Sequence, residues 1–239
     1  MYEWTTRIRY SEIDSTGKLT IPAMVNLFQD CVNFESEEIG MGMLWLNENG
    51  MSWIILNWQI EVERMPGMGE RIVVATCPYY VKSTFGYRGF QISTPEGELL
   101  ARADSMWMLI DWETKKPKKI TPEMEKYYVS EEWVPMDSNL RGKILLGENK
   151  KKEKGFVIGR EHLDTNNHVN NAQYIAFCLS YIPEGRKISK MRIQYRKQAF
   201  LGDELIPYVS EDENGLTIAL CGADEEVYTA MYFLPEDRE

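Results

Sequence analysis

The stretch Asp164-Thr165-Asn166-Asn167-His168-Val169-Asn170-Asn171 decides how this chain is read. It sets a carboxylate, an amide and an imidazole at i, i+2 and i+4, and it holds one of only two histidines in the protein. In an extended segment, alternate side chains point to the same side. A base, an orienting amide and a proton carrier could therefore converge on one substrate atom. Asn170 or Asn171 can cap a helix, and Ala172-Gln173-Tyr174-Ile175-Ala176-Phe177-Cys178-Leu179 reads as that helix.

The same pattern occurs once more. With an offset of 150 residues, Ile13-Asp14-Ser15-Thr16-Gly17-Lys18-Leu19 lies on Leu163-Asp164-Thr165-Asn166-Asn167-His168-Val169. In the first copy Thr20 is the predicted N-cap, and Ile21, Met24, Val25, Phe28, Cys31 and Val32 fall on one helical face. Val169, Ala172, Ile175, Ala176 and Leu179 do the same in the second. Beyond the helices, Ile60-Glu61-Val62-Glu63-Arg64-Met65-Pro66-Gly67-Met68-Gly69-Glu70 matches Ile193-Gln194-Tyr195-Arg196-Lys197-Gln198-Ala199-Phe200-Leu201-Gly202-Asp203 at an offset of 133, so the second copy has a shorter connection after its helix. Strand-like runs close each copy: Arg71 to Cys77, Gly86 to Ser93 and Leu99 to Ile110, then Leu205 to Val209, Leu216 to Leu220 and Val227 to Phe233. Pro95-Glu96-Gly97 and Glu213-Asn214-Gly215 are turns between them.

Each copy thus reads strand, long helix, then antiparallel strands, an α+β arrangement in which one apolar helix face covers one sheet. Two such copies in one chain suggest an internal pseudo-dimer. The region from about Asp111 to Lys154 fits neither copy. It carries Lys115-Lys116-Pro117-Lys118-Lys119 and Lys150-Lys151-Lys152, and residues 121–154 are read as a charged connector, partly ordered through Tyr127, Tyr128, Trp133 and Leu145-Leu146.

Composition narrows the function classes. The 239 residues are 44% hydrophobic and 12% aromatic, enough for a sizeable core. A formal net charge of -10 argues against wholesale binding to nucleic acid or an anionic membrane, because phosphate binding needs a dense basic face. No apolar run approaches the roughly 20 residues that span a bilayer. Cys31, Cys77, Cys178 and Cys221 are widely spaced and form no CxxC or Cys/His metal pattern, so reduced thiols in a cytoplasmic protein are expected. The N-terminal Met1 to Tyr10 stretch has no signal-peptide core.

Asp-x-Asn-x-His-Val-Asn-Asn followed by a helix carrying Tyr-Ile resembles the acyl-acyl-carrier-protein thioesterases, the plant plastid enzymes and their bacterial relatives. The resemblance covers nearly the whole chain. It implies a tandem double hotdog, each half an antiparallel sheet wrapped round a long central helix: an N-terminal hotdog over residues 1–120 with the acyl pocket and a degenerate site, and a catalytic C-terminal hotdog over residues 155–239. The implied activity is hydrolysis of fatty acyl-acyl-carrier protein, releasing free fatty acid and ending chain elongation in fatty acid biosynthesis. The partner is acyl carrier protein bearing a fatty acyl-phosphopantetheine, with no cofactor and no metal; a homodimer is left open. Lacking a plastid transit segment, the chain reads as bacterial. An acyl-CoA thioesterase and a non-catalytic acyl-binding hotdog protein are the alternatives.

By the same resemblance Asp164, Asn166 and His168 are the catalytic residues. The Glu-Cys pair of the plant members falls on Gln198 and Ala199, so a cysteine nucleophile is impossible there. In the first copy Thr16 and Lys18 replace the asparagine and histidine, while Asp14 remains. Asp164 would act as base or nucleophile, His168 would orient or protonate, and Asn166 would hold the water or the carboxylate. Free N–H groups at the helix start, Val169 to Ala172, would face the thioester oxygen.

Plainer readings stand beside these. Asp164 suits a turn, His168 a helix cap or a core position. His162, Asp164 and His168 lack a further strong ligand at metal spacing. Trp45, Trp53, Trp58 and Trp107 are read as core before acyl-tunnel lining. Lys150, Lys151, Lys152, Lys154, Arg160, Arg192, Arg196 and Lys197 form the basic cluster where an acidic carrier would dock.

Overall fold

In the computed structural model, which describes residues 1–128 and 133–234, the chain forms two units, Met1–Leu140 and Arg141–Glu239. The first holds β1 (Tyr2–Arg7), α1 (Ile21–Glu38), α2 (Met43–Glu48), β2 (Met51–Val62), β3 (Arg71–Lys82), β4 (Phe85–Ser93), β5 (Leu99–Asp111) and the single turn α3 (Pro122–Glu125). Its strands are all antiparallel, in the order β1-β3-β4-β5-β2. α1 starts where the sequence places it: Thr20 Oγ1 accepts the Ala23 N–H at 3.3 Å, and Pro22 occupies the first turn, where no N–H is needed. Its apolar face, Met24, Val25, Phe28 and Cys31, is buried. Phe28 packs on Phe90 at 5.0 Å and on Trp58 at 5.8 Å between ring centroids.

β3 runs past Pro78, where the sequence suggested an end. Proline cannot donate to the ladder, and the register slips between Pro78 and Tyr80, so a bulge absorbs the missing donor. A second slip, between Ile55 and Asn57, bends β2. Arg88 on β4 is buried, ion-paired to Glu35 on α1 and donating to Thr76 Oγ1 on β3 at 3.1 Å. Glu35 sits about two helical turns beyond Phe28, so a charged tie joins helix and sheet at that end.

The second unit holds β6 (Lys151–Lys152), β7 (Phe156–Val157), α4 (Asn171–Leu179), β8 (Lys190–Tyr195), β9 (Glu204–Asp212), β10 (Gly215–Cys221) and β11 (Val227–Phe233). Its order is β8-β11-β10-β9, with β6 and β7 both pairing β9. The repeat is visible residue by residue. Arg7 pairs with Arg71 and Thr6 with Ile72 as Val157 pairs with Glu204 and Phe156 with Leu205. Ile8 N–H donates to Glu70 O as Ile158 N–H does to Asp203 O. Both offsets read from the sequence, 150 before the helix and 133 after it, recur in these pairings. Each unit is a hotdog, a bent antiparallel sheet about one central helix, and the fold class is α+β.

The stretch expected as a connector, 121–154, is divided between the units. Ile120, Met124 and Tyr128 are buried with Met41, Met51 and Leu109. Asp104 accepts the Met136 N–H at 3.0 Å and the Ser138 hydroxyl at 3.1 Å, and Gln59 holds Asp137 O and Asn139 N–H. The Trp133 ring lies on Gly89, where any Cβ would approach it to 1.9 Å. Beyond residue 140, Ile144 is buried with Ile206 and Tyr208, and Gly147 N–H donates to Ser210 Oγ at 3.0 Å. Scattered apolar anchors and side-chain bonds to an irregular backbone leave no periodic trace, so composition alone suggested a linker. The end of the 155–239 half, residues 235–239, lies outside the described residues. Trp58 is core; Trp53 and Trp45 pack on the Met41 cluster. Among the described residues no helix is long and apolar enough to cross a membrane.

Removing one partner of a buried ion pair strands the other charge. Arg88→Ala is expected to lower unfolding stability by about 3–5 kcal/mol, and Arg88→Met with Glu35→Leu to recover most of it. Urea titration followed by tryptophan fluorescence measures both; a single variant as stable as wild type would show that the pair is not such a tie.

Candidate active site

The loop between β7 and α4 begins with a 3-10 turn, Arg160–His162, and ends at the helix cap. Between them the segment is a tight turn rather than the extended run expected. Leu163 and Val169 form an antiparallel bridge. The Asp164 N–H donates to His168 O at 2.9 Å and the Asn167 N–H to Asp164 O at 3.1 Å. Asn167 takes the left-handed conformation that closes such a turn, φ 62°, which asparagine tolerates better than most residues. The Asp164 carboxylate folds over the turn. Its Oδ1 accepts the Asn166 N–H at 2.7 Å, and its Oδ2 lies 3.2 Å from His168 Nδ1. Turn formers around a carboxylate that caps its own backbone account for the shape.

Acid and imidazole are therefore brought together, but by the turn and not by alternation. Asn166 contributes its backbone N–H to the carboxylate, and its side chain is exposed. Both Asp164 and His168 are partly buried, with side chains 21% and 19% exposed, so the pair is sheltered yet reachable.

The helix start differs from the expectation of N–H groups free to meet an oxyanion. Val169 N–H donates to Ala199 O at 2.9 Å, Asn170 N–H to His162 O at 3.0 Å, and Ala172 N–H to the capping Asn170 Oδ1 at 2.8 Å. Those three donors are spent on fastening the loop. His162 belongs to the same fastening: its Nδ1 accepts the Gly159 N–H at 3.0 Å and its ring stands edge-on to Phe177. In the first unit Glu12 does this work, accepting the Arg9 N–H at 2.7 Å.

Ala199 is buried and brings no functional side chain, and Gln198 is exposed. Cys178 is buried in the core of the helix, and desolvation pushes its thiol up, which suits packing and not nucleophilic attack. Two tyrosines escaped the sequence reading. Tyr174 Oη accepts the Ala199 N–H at 2.7 Å, and the Tyr195 hydroxyl donates to Asn171 O at 3.0 Å. Tyr174 lies on the apolar helix stripe, which disguises it as core.

The first unit preserves the turn without the imidazole. Ile13 and Leu19 bridge, the Asp14 N–H donates to Lys18 O at 2.9 Å, and Gly17 has φ 77°. Asp14 Oδ1 accepts from the Thr16 hydroxyl at 2.6 Å, which foremost holds this carboxyl below its ordinary range, with the Lys18 and Thr16 N–H groups adding to it.

Three lysines of the basic cluster expected to receive a carrier are ion-paired. Lys150 pairs with Glu225 at 2.8 Å, Lys151 with Glu153 at 2.7 Å, and Lys197 with Glu226. Arg192 and Arg196 turn inward to the carbonyls of Gly142 and Ile144, anchoring the segment that leads into β6. Charge proximity in sequence did not foresee these partners.

Comparison with known proteins bears on this geometry. Residues 1–128 match the acyl-ACP thioesterase N-terminal domain and residues 147–226 the acyl-ACP thioesterase C-terminal domain. A chloroplastic acyl-[acyl-carrier-protein] hydrolase of Cuphea viscosissima is 27% identical over 210 residues, 80% of this chain and 50% of the relative. A chloroplastic palmitoyl-acyl carrier protein thioesterase of Gossypium hirsutum is 26% identical over 209 residues, with the same shares. The chain spans about half the length of the curated relatives it matches. Among solved structures, an acyl-ACP thioesterase from Bacteroides thetaiotaomicron shares the fold with a TM-score of 0.87 at 24% identity, covering 97% of this chain and 96% of that one. The 12:0-ACP thioesterase from Umbellularia californica does so with a TM-score of 0.85 at 19% identity, covering 98% and 96%. A duplicated hotdog with both domain matches in order along it belongs to the acyl-ACP thioesterase family.

Proposed function

We propose that this protein hydrolyses the thioester that joins a fatty acyl group to acyl carrier protein, releasing free fatty acid, with the second unit's loop as the reacting site. The observation that carries the reading is the Asp164 carboxylate 3.2 Å from His168 Nδ1 at the loop tip of a family member. A carboxylate on Nδ1 fixes the imidazole tautomer and leaves Nε2 to handle protons. Water attacks the thioester carbon as Nε2 takes its proton. The carbon–sulfur bond then breaks, and the same proton goes to the departing thiolate of the phosphopantetheine arm. Hydrolysis is balanced by one water, one acid and one thiol, with no further reagent.

The N–H groups at 169, 170 and 172 are engaged in fastening the loop, so a side-chain donor is assigned to the developing oxyanion. The exposed Asn166 amide, two residues from each partner, fits that role. A preorganised donor of this kind is worth about 10²–10³ in rate. Ala199 removes cysteine chemistry from the strand side, which leaves the work to Asp164, Asn166 and His168. Four free, buried cysteines go with a cytoplasmic site of action in a bacterium.

Asp164→Asn and His168→Ala are each expected to lower kcat/KM on acyl-carrier protein by about 10²–10⁴-fold with unchanged circular dichroism; undiminished hydrolysis by either would remove that residue from the mechanism, and by both would leave an acyl-binding protein as the better reading. Single turnover in heavy-oxygen water is expected to put the label in the fatty acid. Label on Asp164 instead would make the carboxylate the nucleophile.

Coenzyme A ends in the same pantetheine thiol as the carrier, so the reacting residues do not discriminate between them. Paired kinetics on one acyl group should give a higher kcat/KM with the carrier protein. Equal or lower values would shift the assignment to acyl-CoA hydrolysis.

A further inference from the structure

We propose that Tyr174 is a positioning residue for the Asp164–His168 pair, acting through the backbone of residues 199 and 200. The proposal rests on the thioesterase reading of the loop. Tyr174 stands in the first turn of α4 and is 3% exposed. Its Oη accepts the Ala199 N–H at 2.7 Å, the Ala199 carbonyl accepts the Val169 N–H at 2.9 Å, and Phe200 forms an antiparallel bridge with His168. One hydroxyl thus fixes the strand segment that flanks the histidine, and fixes it from the helix that follows the histidine. Burial foremost, with Tyr228 and the carboxylates of Asp203 and Asp164 adding to it, holds the phenol well above its ordinary range, so the group stays a neutral hydroxyl.

The first unit supplies the control. There the Leu19 N–H donates to Pro66 O at 2.9 Å and Lys18 bridges Gly67, the same frame at the same offsets. Yet Pro66 has no N–H, and the residue in the place of Tyr174 is Met24, fully buried. Donor and acceptor are absent together, in the unit that has also lost the asparagine and histidine. The Asp14 turn closes all the same. The hydroxyl is therefore not needed to make the turn or to dock the helix; it is found only where an imidazole has to be held. A frame that lets the imidazole drift by an ångström would lose about 10²-fold in rate.

The structural alternative is that Tyr174 merely satisfies a buried N–H, and a variant carrying the first unit's own pair separates the two. Tyr174→Met with Ala199→Pro removes donor and acceptor together, leaving no unpaired group. The isosteric Tyr174→Phe removes the acceptor alone. Positioning predicts that both lower kcat on acyl-carrier protein by about 10- to 10²-fold, with KM within about twofold and, for the paired variant, the wild-type urea midpoint. A paired variant with wild-type kcat overturns the proposal, as does a loss that falls on KM alone. Asp164→Asn, measured in parallel, keeps the outcomes distinct: if it retains activity the loop assignment itself is at fault, and if it is inactive while the paired variant is not, only the role of Tyr174 fails.

Discussion

The hydrogen bond from the Val169 N–H to Ala199 O, with its counterpart from the Leu19 N–H to Pro66 O, is the fastening on which each unit depends. A helix that enters the hollow of a sheet brings unsatisfied N–H groups with it. Here the residue just before the helix cap gives its N–H to the chain that returns after the helix and leads into β3 or β9. That bond sets where the helix starts, holds the preceding turn against the sheet edge, and leaves the turn's side chains at the surface. His162 and Glu12 add a second fastening one turn earlier, with an imidazole nitrogen and a carboxylate oxygen serving as interchangeable acceptors.

Much of this was legible in the residues. The start of the first unit's helix, its Thr20 cap and its buried stripe follow from spacing alone, because a 3.6-residue period from Ile21 to Val32 has few rival explanations. The two offsets located the repeat, since equivalent segments fold alike. Asp164 and His168 were legible as a pair. Their geometry was not: i and i+4 place side chains on one side of a strand as readily as they close a turn, and the choice lies with Asn167, whose left-handed backbone is invisible until the turn exists. Tyr174 was hidden because a hydroxyl at the end of an apolar ring looks like core in any periodicity.

The irregular stretches were illegible for a different reason. Residues 136–139 are held by a buried carboxylate, Asp104, and by a glutamine, Gln59, that read as ordinary polar positions on strands. Their partners are backbone groups and a serine hydroxyl some thirty to eighty residues away, which no local pattern encodes. The partners of the lysine and arginine runs were equally hidden, since a run of charge says nothing about whether acidic side chains in the turn after β10 or bare carbonyls lie across from it.

The twin turns have a consequence for how such a chain can change over time. Asp14 and Asp164 close the same backbone loop with different neighbours, threonine and lysine in one, asparagine and histidine in the other. The scaffold asks only for the aspartate, a residue at ease in left-handed backbone, and an acceptor for the first N–H of the cap. The side chains at positions 16 and 18, and at 166 and 168, differ between the halves while the backbone of the turn stays the same. Side-chain chemistry can then be erased from one half, or written into it, by a handful of point changes that the turn does not register, so a fused pair of equals can diverge without passing through an unfolded ancestor.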